Sequence, residues 1–142
     1  MMFSFVVKKL GFIKSIPLTA LIFDSGIKLW QYIFEPKKLI LLDSLEDIVL
    51  SWEGVDISLH KFGGTQFNFH KNEIGHVHSN GILDILFDRE TKNNLILEGK
   101  AEQHHVFEKS GWISFYIKSE ADIQPAAHLL RESYLRIAQK ST

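Results

Sequence analysis

At 142 residues the chain is long enough for one domain, residues 1–142, with a substantial core. Hydrophobic residues at 45% and charged residues at 23% exclude disorder, and 16 Lys+Arg against 17 Asp+Glu exclude the basic footprint of a nucleic-acid binder. The absence of cysteine excludes disulfides, thiolate metal sites and cysteine nucleophiles.

The first 38 residues hold six lysines and two acids and are dense in apolar side chains. Residues 15–23 are the longest uncharged stretch there, well short of the ~20 residues a membrane helix needs. No small-residue cleavage pattern follows Lys14, so a signal peptide is not expected. Two readings stand. Residues 1–34 are helical cover for a sheet, or they form a basic amphipathic segment in peripheral contact with an anionic membrane surface. A cytoplasmic location, with or without membrane association, is expected.

Ser15, Ile16 and Pro17 mark a helix start, and Pro36 a stop near Phe34. Residues 37–42 read as a connector. Ser44 followed by Asp47 reads as a capping box for a second helix carrying Leu45, Ile48, Val49 and Trp52, closed by Gly54. The 1–54 region is thus expected to be helical, with an α+β core over 55–142. Alternation then takes over, with Val55, Ile57 and Leu59, then Phe67 and Phe69, then Ile74 and Val77, then Leu83, Ile85 and Phe87. Gly63-Gly64, Lys71-Asn72 and Ser79-Asn80-Gly81 are the turns of a four-stranded meander. Asp88 opens a short helix ending at Gly99. Strands over 102–107 and 112–118 follow, and Ser119 with Asp122 caps a last amphipathic helix through Ile123, Ala127, Leu130, Tyr134 and Ile137. The fold class is α+β: N-terminal helices, a mainly antiparallel sheet of about six strands, and a C-terminal helix packed on one sheet face.

Side chains alternate across a sheet, so the apolar phase assigns Ile57, Leu59, Phe67, Phe69, Leu83, Ile85, Phe87, Ile113, Phe115 and Ile117 to the helix-covered face. The other face collects Ser58, His60, Asn68, His70, Asp84, Trp112, Ser114 and Tyr116, joined by His76 and His78 if Val77 points inward. Imidazoles are poised for proton transfer or metal binding near neutral pH. His76 and His78 are close enough to share an ion, with Asp84 or Glu102 available as a carboxylate. His104 and His105 fall on opposite faces, so one of them can join. Spacing leaves open a solvated histidine face, a metal-free polar site and a metal site.

Four stretches carry a family resemblance: residues 75–84 (GHVHSNGILD), 99–106 (GKAEQHHV), 110–115 (SGWISF) and 129–134 (LLRESY). Together they resemble the luciferase-domain family, named for the fungal luciferase and widespread in bacteria as small proteins, over roughly residues 55–138. The resemblance implies a histidine-lined pocket for a small, flat, partly apolar molecule, with His76, His78 and His104 catalytic. His105, Asp84, Trp112 and Tyr116 would contact the substrate. It also implies oxygenation with no organic cofactor and no metal: a histidine deprotonates an acidic hydroxyl, and the anion reacts with oxygen. Two alternatives accompany it, a non-enzymatic module docking its N-terminus on a membrane or partner, and a histidine-ligated metalloenzyme.

Overall fold

The computed structural model describes residues 17–104 and 106–140. Among the described residues, four α-helices and a six-stranded antiparallel sheet make an α+β fold, as the sequence implies. In chain order these are α1 (Pro17–Phe34), α2 (Pro36–Leu50), β1 (Val55–Leu59), β2 (Thr65–Phe69), β3 (Asn72–Val77), β4 (Ile82–Leu86), α3 (Arg89–Leu97), β5 (Glu102–Gln103), β6 (Trp112–Tyr116) and α4 (Ile123–Lys140). The strands lie in the order β1-β2-β3-β4-β6-β5.

Pro36 starts a helix rather than a connector. Its fixed φ suits the first helical turn, where its missing N–H is no loss, and residues 37–42 continue as α2. The expected capping box at Ser44 is therefore absent. That hydroxyl lies mid-helix and donates to the Ile40 carbonyl at 2.8 Å. Leu42, Leu45 and Val49 form the buried stripe of α2. The capping box at Ser119 and Asp122 is present and leads through a 3-10 turn into α4.

The core lies between the sheet and helices α2 and α4. Phe67, Val77, Leu83, Ile85, Ile113 and Ile117 meet Leu45 and Val49 of α2, and Ile123, Ala126, Ala127 and Leu130 of α4. Gly75 lets α4 approach closely, because a Cβ there would stand 3.0 Å from Leu130 Cδ2. Ile57 and Leu59 have the expected phase, with Ile57 opposite Phe67. They are nevertheless 40% and 65% exposed, because β1 is the sheet edge and the helices only partly cover it. The core assignment of these two residues is thus corrected.

Helix α1 is fixed by polar contacts on its inner side. The buried Asp24 accepts the Gly64 N–H at 2.9 Å and the Ser79 N–H at 3.4 Å, and Gln31 donates to the Ser79 carbonyl. Position 64 requires glycine twice over: its φ is +87°, and a Cβ would lie 2.1 Å from the Val77 carbonyl oxygen. Meanwhile Leu18, Ile22, Leu29, Tyr32, Ile33 and Phe34 face outward. Among the described residues no helix is long and apolar enough to cross a membrane. The expectations for residues 1–16 lie outside the described residues.

Candidate functional site

A bulge on β3 builds the site. β2 pairs Gln66 with His76 and Phe67 with Gly75, and the register then shifts so that Asn68 pairs with Glu73. Ile74 is the extra residue, buried in the core. Without the bulge, residues 73 and 76 would point to opposite faces. With it, both lie on the face away from the helices, and Glu73 Oε1 reaches His76 Nδ1 at 2.5 Å. Residue 78 is one step beyond β3, where the Ser79–Gly81 turn begins: its N–H donates to the Ile82 carbonyl and its carbonyl accepts from Gly81, both at 2.8 Å.

Asp84 is the centre of this face. It is 1% exposed, opposite both His76 and Ser114 in the ladder. Ser114 Oγ donates to Asp84 Oδ1 at 2.5 Å. Asp84 Oδ2 is 3.6 Å from His76 Nε2, 3.4 Å from His78 Nε2 and 3.5 Å from His104 Nε2. These are ion-pair separations, longer than ordinary hydrogen bonds. His60 stacks on His76 with ring centroids 3.7 Å apart and planes 10° apart. Trp112 closes one side, 5.4 Å from His76 and 6.0 Å from His104 by centroid.

His104 explains why β5 is only two residues long, against the strand expected over 102–107. Its Nδ1 accepts the N–H groups of Val106 and Phe107, each at 3.1 Å, so the side chain takes backbone donors that a ladder would otherwise use. An Nδ1 that accepts leaves the proton on Nε2, aimed at Asp84.

Burial works against charge on Asp84. The three imidazoles and the Ser114 hydroxyl outweigh it and hold the carboxyl well below the usual carboxylate range. Burial also opposes protonation of His76, but Asp84 and Glu73 on its two ring nitrogens raise its affinity for a proton. His60 moves the other way: burial, with His76 beside it, lowers its pKa to about 4.

His76, His78, His104, Asp84 and Trp112 thus come together on one face. Tyr116 shares their face but lies two residues beyond Ser114, with its ring near Lys118. His105 lies outside the described residues. His70 does not join, because it occupies the β2–β3 turn with φ +54°, its ring against Phe69. Glu102 is exposed and takes no part in the cluster. Sequence reasoning placed His60 and Ser114 on this face without making them site residues, and it missed Glu73 altogether. No strand pattern announces a bulge, so nothing in the sequence put Glu73 beside His76. Two clefts lie apart from the histidines: one of about 440 Å³ beside Pro36 and Lys118, and one of about 260 Å³ beside Lys28 and Ser79. The buried, ionised cluster is the better candidate site, because its ionisable groups lie together out of water with strongly displaced proton affinities.

The fold and site define an α+β domain with a histidine–carboxylate cluster on the sheet face opposite its helices. Residues 71–133 match the model of the Luciferase domain family, and the resemblance drawn from the sequence motifs is borne out over that segment. The match spans Glu73, His76, His78, Asp84, His104, Trp112 and Ser114, whereas His60 and the two N-terminal helices lie outside it. No curated protein and no solved structure matches the chain.

Proposed function

We propose that the chain binds a small, partly apolar molecule at the Asp84-centred histidine cluster and oxidises it without an organic cofactor. The observation that carries this reading is the convergence of His76, His78 and His104 on one buried carboxylate, beside the flat apolar wall of Trp112. A hydroxyl on the bound molecule passes its proton to a neutral imidazole of the cluster and keeps its electron pair. The His76 imidazolium stabilises the anion so formed. Dioxygen is the oxidant: it takes the anion's electron pair as a C–O bond forms, and the resulting peroxide oxygen takes up the proton held by the imidazole, so the product is a hydroperoxide. The test is calorimetric titration with a panel of hydroxylated aromatic and pyrone compounds. His76→Ala and His78→Ala are expected to abolish binding while circular dichroism reports an intact fold. Undiminished binding, or loss of the fold in both variants, overturns the assignment.

One observation favours a second reading, a surface-docking module. Helix α1 buries Ala20, Asp24, Ile27 and Gln31 and leaves Leu18, Ile22, Ile33 and Phe34 outward, more apolar surface than a helix needs to serve only its own core. On this reading the full chain sediments with anionic phospholipid vesicles, and Ile22→Glu with Ile33→Glu releases it. Equal sedimentation of the variant excludes docking through this face.

A further inference from the structure

We propose that His60, His76 and His78, together with the carboxylate of Asp84, form a binding site for one divalent first-row transition-metal ion. This goes beyond the small-molecule reading and departs from the metal-free chemistry that the family resemblance implies.

One ring nitrogen from each of the three histidines lies within 4.8 Å of the others. Asp84 Oδ2 stands 3.6 Å from His76 Nε2 and 3.4 Å from His78 Nε2. Ligands bound to one tetrahedral ion at about 2.0–2.2 Å stand roughly 3.3–3.6 Å from each other. The Asp84–histidine separations already have that spacing; closing the wider histidine spacing needs a movement of about 1 Å, with the His60 ring turning out of its parallel stack on His76 so that both lone pairs meet at the ion.

One atom of the group is otherwise unexplained: His60 Nδ1 is buried with no hydrogen-bond partner among the described residues, and His60 is 5% exposed. A buried polar atom left in this way is costly unless something coordinates it. An ion between His60, His76 and Asp84 accounts for it, and Asp84 Oδ2, at ion-pair distance from three imidazoles, supplies the negative charge.

The surroundings have the form that metal ligands need. Glu73 holds His76 Nδ1 and thereby directs Nε2 inward, the carboxylate–histidine arrangement that orients a ligand and raises its basicity. Ser114 fixes the other oxygen of Asp84, and His104, held by two backbone N–H groups, stands 3.5 Å from Oδ2. Neutral imidazoles with two carboxylates balance a dication. With no thiolate in the chain, the donor set suits Zn(II), Fe(II) or Co(II) rather than Cu(I). His60 comes from outside the family-matched segment, delivered by the turn that Gly63 and Gly64 close.

The test uses the full-length, untagged protein stripped with chelator and titrated with Co(II) alone. One equivalent is expected to give the intense visible bands of four-coordinate cobalt, and Zn(II) to displace it. His60→Ala and His78→Ala are expected to weaken cobalt binding about tenfold or more, while His128→Ala, on the exposed face of α4, leaves it unchanged. Should His60→Ala fail to fold, Glu73→Gln keeps all four donors and is expected to weaken binding by about tenfold through His76. The weak spectrum of hydrated cobalt at every ratio overturns the proposal, as does four-coordinate binding that survives His60→Ala and Glu73→Gln. Because no organic ligand is present, these outcomes leave the calorimetric test of the small-molecule reading independent.

Discussion

Asp84→Ala in the metal-free protein is expected to cost about 3–5 kcal/mol of folding stability, the loss typical of a buried charge stripped of its partner. The carboxylate is 1% exposed and faces three imidazoles and one hydroxyl. Removing it leaves the His76 proton on Nε2 with no acceptor and the Ser114 hydroxyl with no acceptor for its 2.5 Å bond. Glu73 still holds the other side of His76 but does not replace the lost charge. Asp84→Asn keeps an oxygen for Ser114 but sets an NH2, which cannot accept, against the imidazole N–H groups, so its loss is expected to be smaller than that of the alanine variant, about 1–3 kcal/mol. Urea unfolding with chelator present measures both. A loss below about 1 kcal/mol in Asp84→Ala shows that packing alone holds the cluster.

The second large effect is on the acid side. Between about pH 6.5 and pH 4 the metal-free protein is expected to lose stability as pH falls, through His60. An unfolded histidine titrates near 6.5, whereas folded His60 titrates at about 4. In that window the unfolded chain binds a proton that the folded chain refuses, so acidification favours unfolding. The groups facing His60 set the shift: burial first, then His76, with Glu73 opposing and His78 and Lys61 adding to it. His76 has the opposite sign. Its raised pKa contributes stability that is full below 6.5 and lost as pH rises through the folded value. Asp84 contributes above the unfolded carboxylate value of about 3.9, and that contribution is lost at still lower pH. His60→Phe keeps a ring on His76 and removes the titration. Its urea midpoint is therefore expected to fall less than that of the unmodified chain between pH 6.5 and 4. Parallel midpoints for the two proteins contradict the assignment.

The strands, most turns and the last helix were legible because each rests on local chemistry. Period-two alternation set the phase of β2, β4 and β6, and Ser79-Asn80-Gly81 set the β3–β4 hairpin. Ser119 and Asp122 signalled their own cap. Local rules misread the start of α2, since Pro36 ends one helix and opens the next, and Ser44 bonds back to Ile40 instead of capping. They also misread β5, because a single imidazole took the backbone donors of residues 106 and 107.

The sequence by itself determined the α+β class, the polar sheet face and the grouping of His76, His78 and Asp84. All three follow from alternation along a strand and from pairing across a hairpin. Only the tertiary structure decided which histidines converge. The bulge at Ile74 put Glu73 on the site face, and the Gly63-Gly64 turn laid His60 on His76. The loop after β5 brought His104 to the same oxygen of Asp84. The neighbours then decided the charges: three imidazoles and a hydroxyl hold Asp84 ionised against its burial, whereas burial and His76 hold His60 neutral, because a low-dielectric face admits only the protonation states its neighbours compensate. Those terms depend on distances between residues far apart in the chain, which no local pattern encodes.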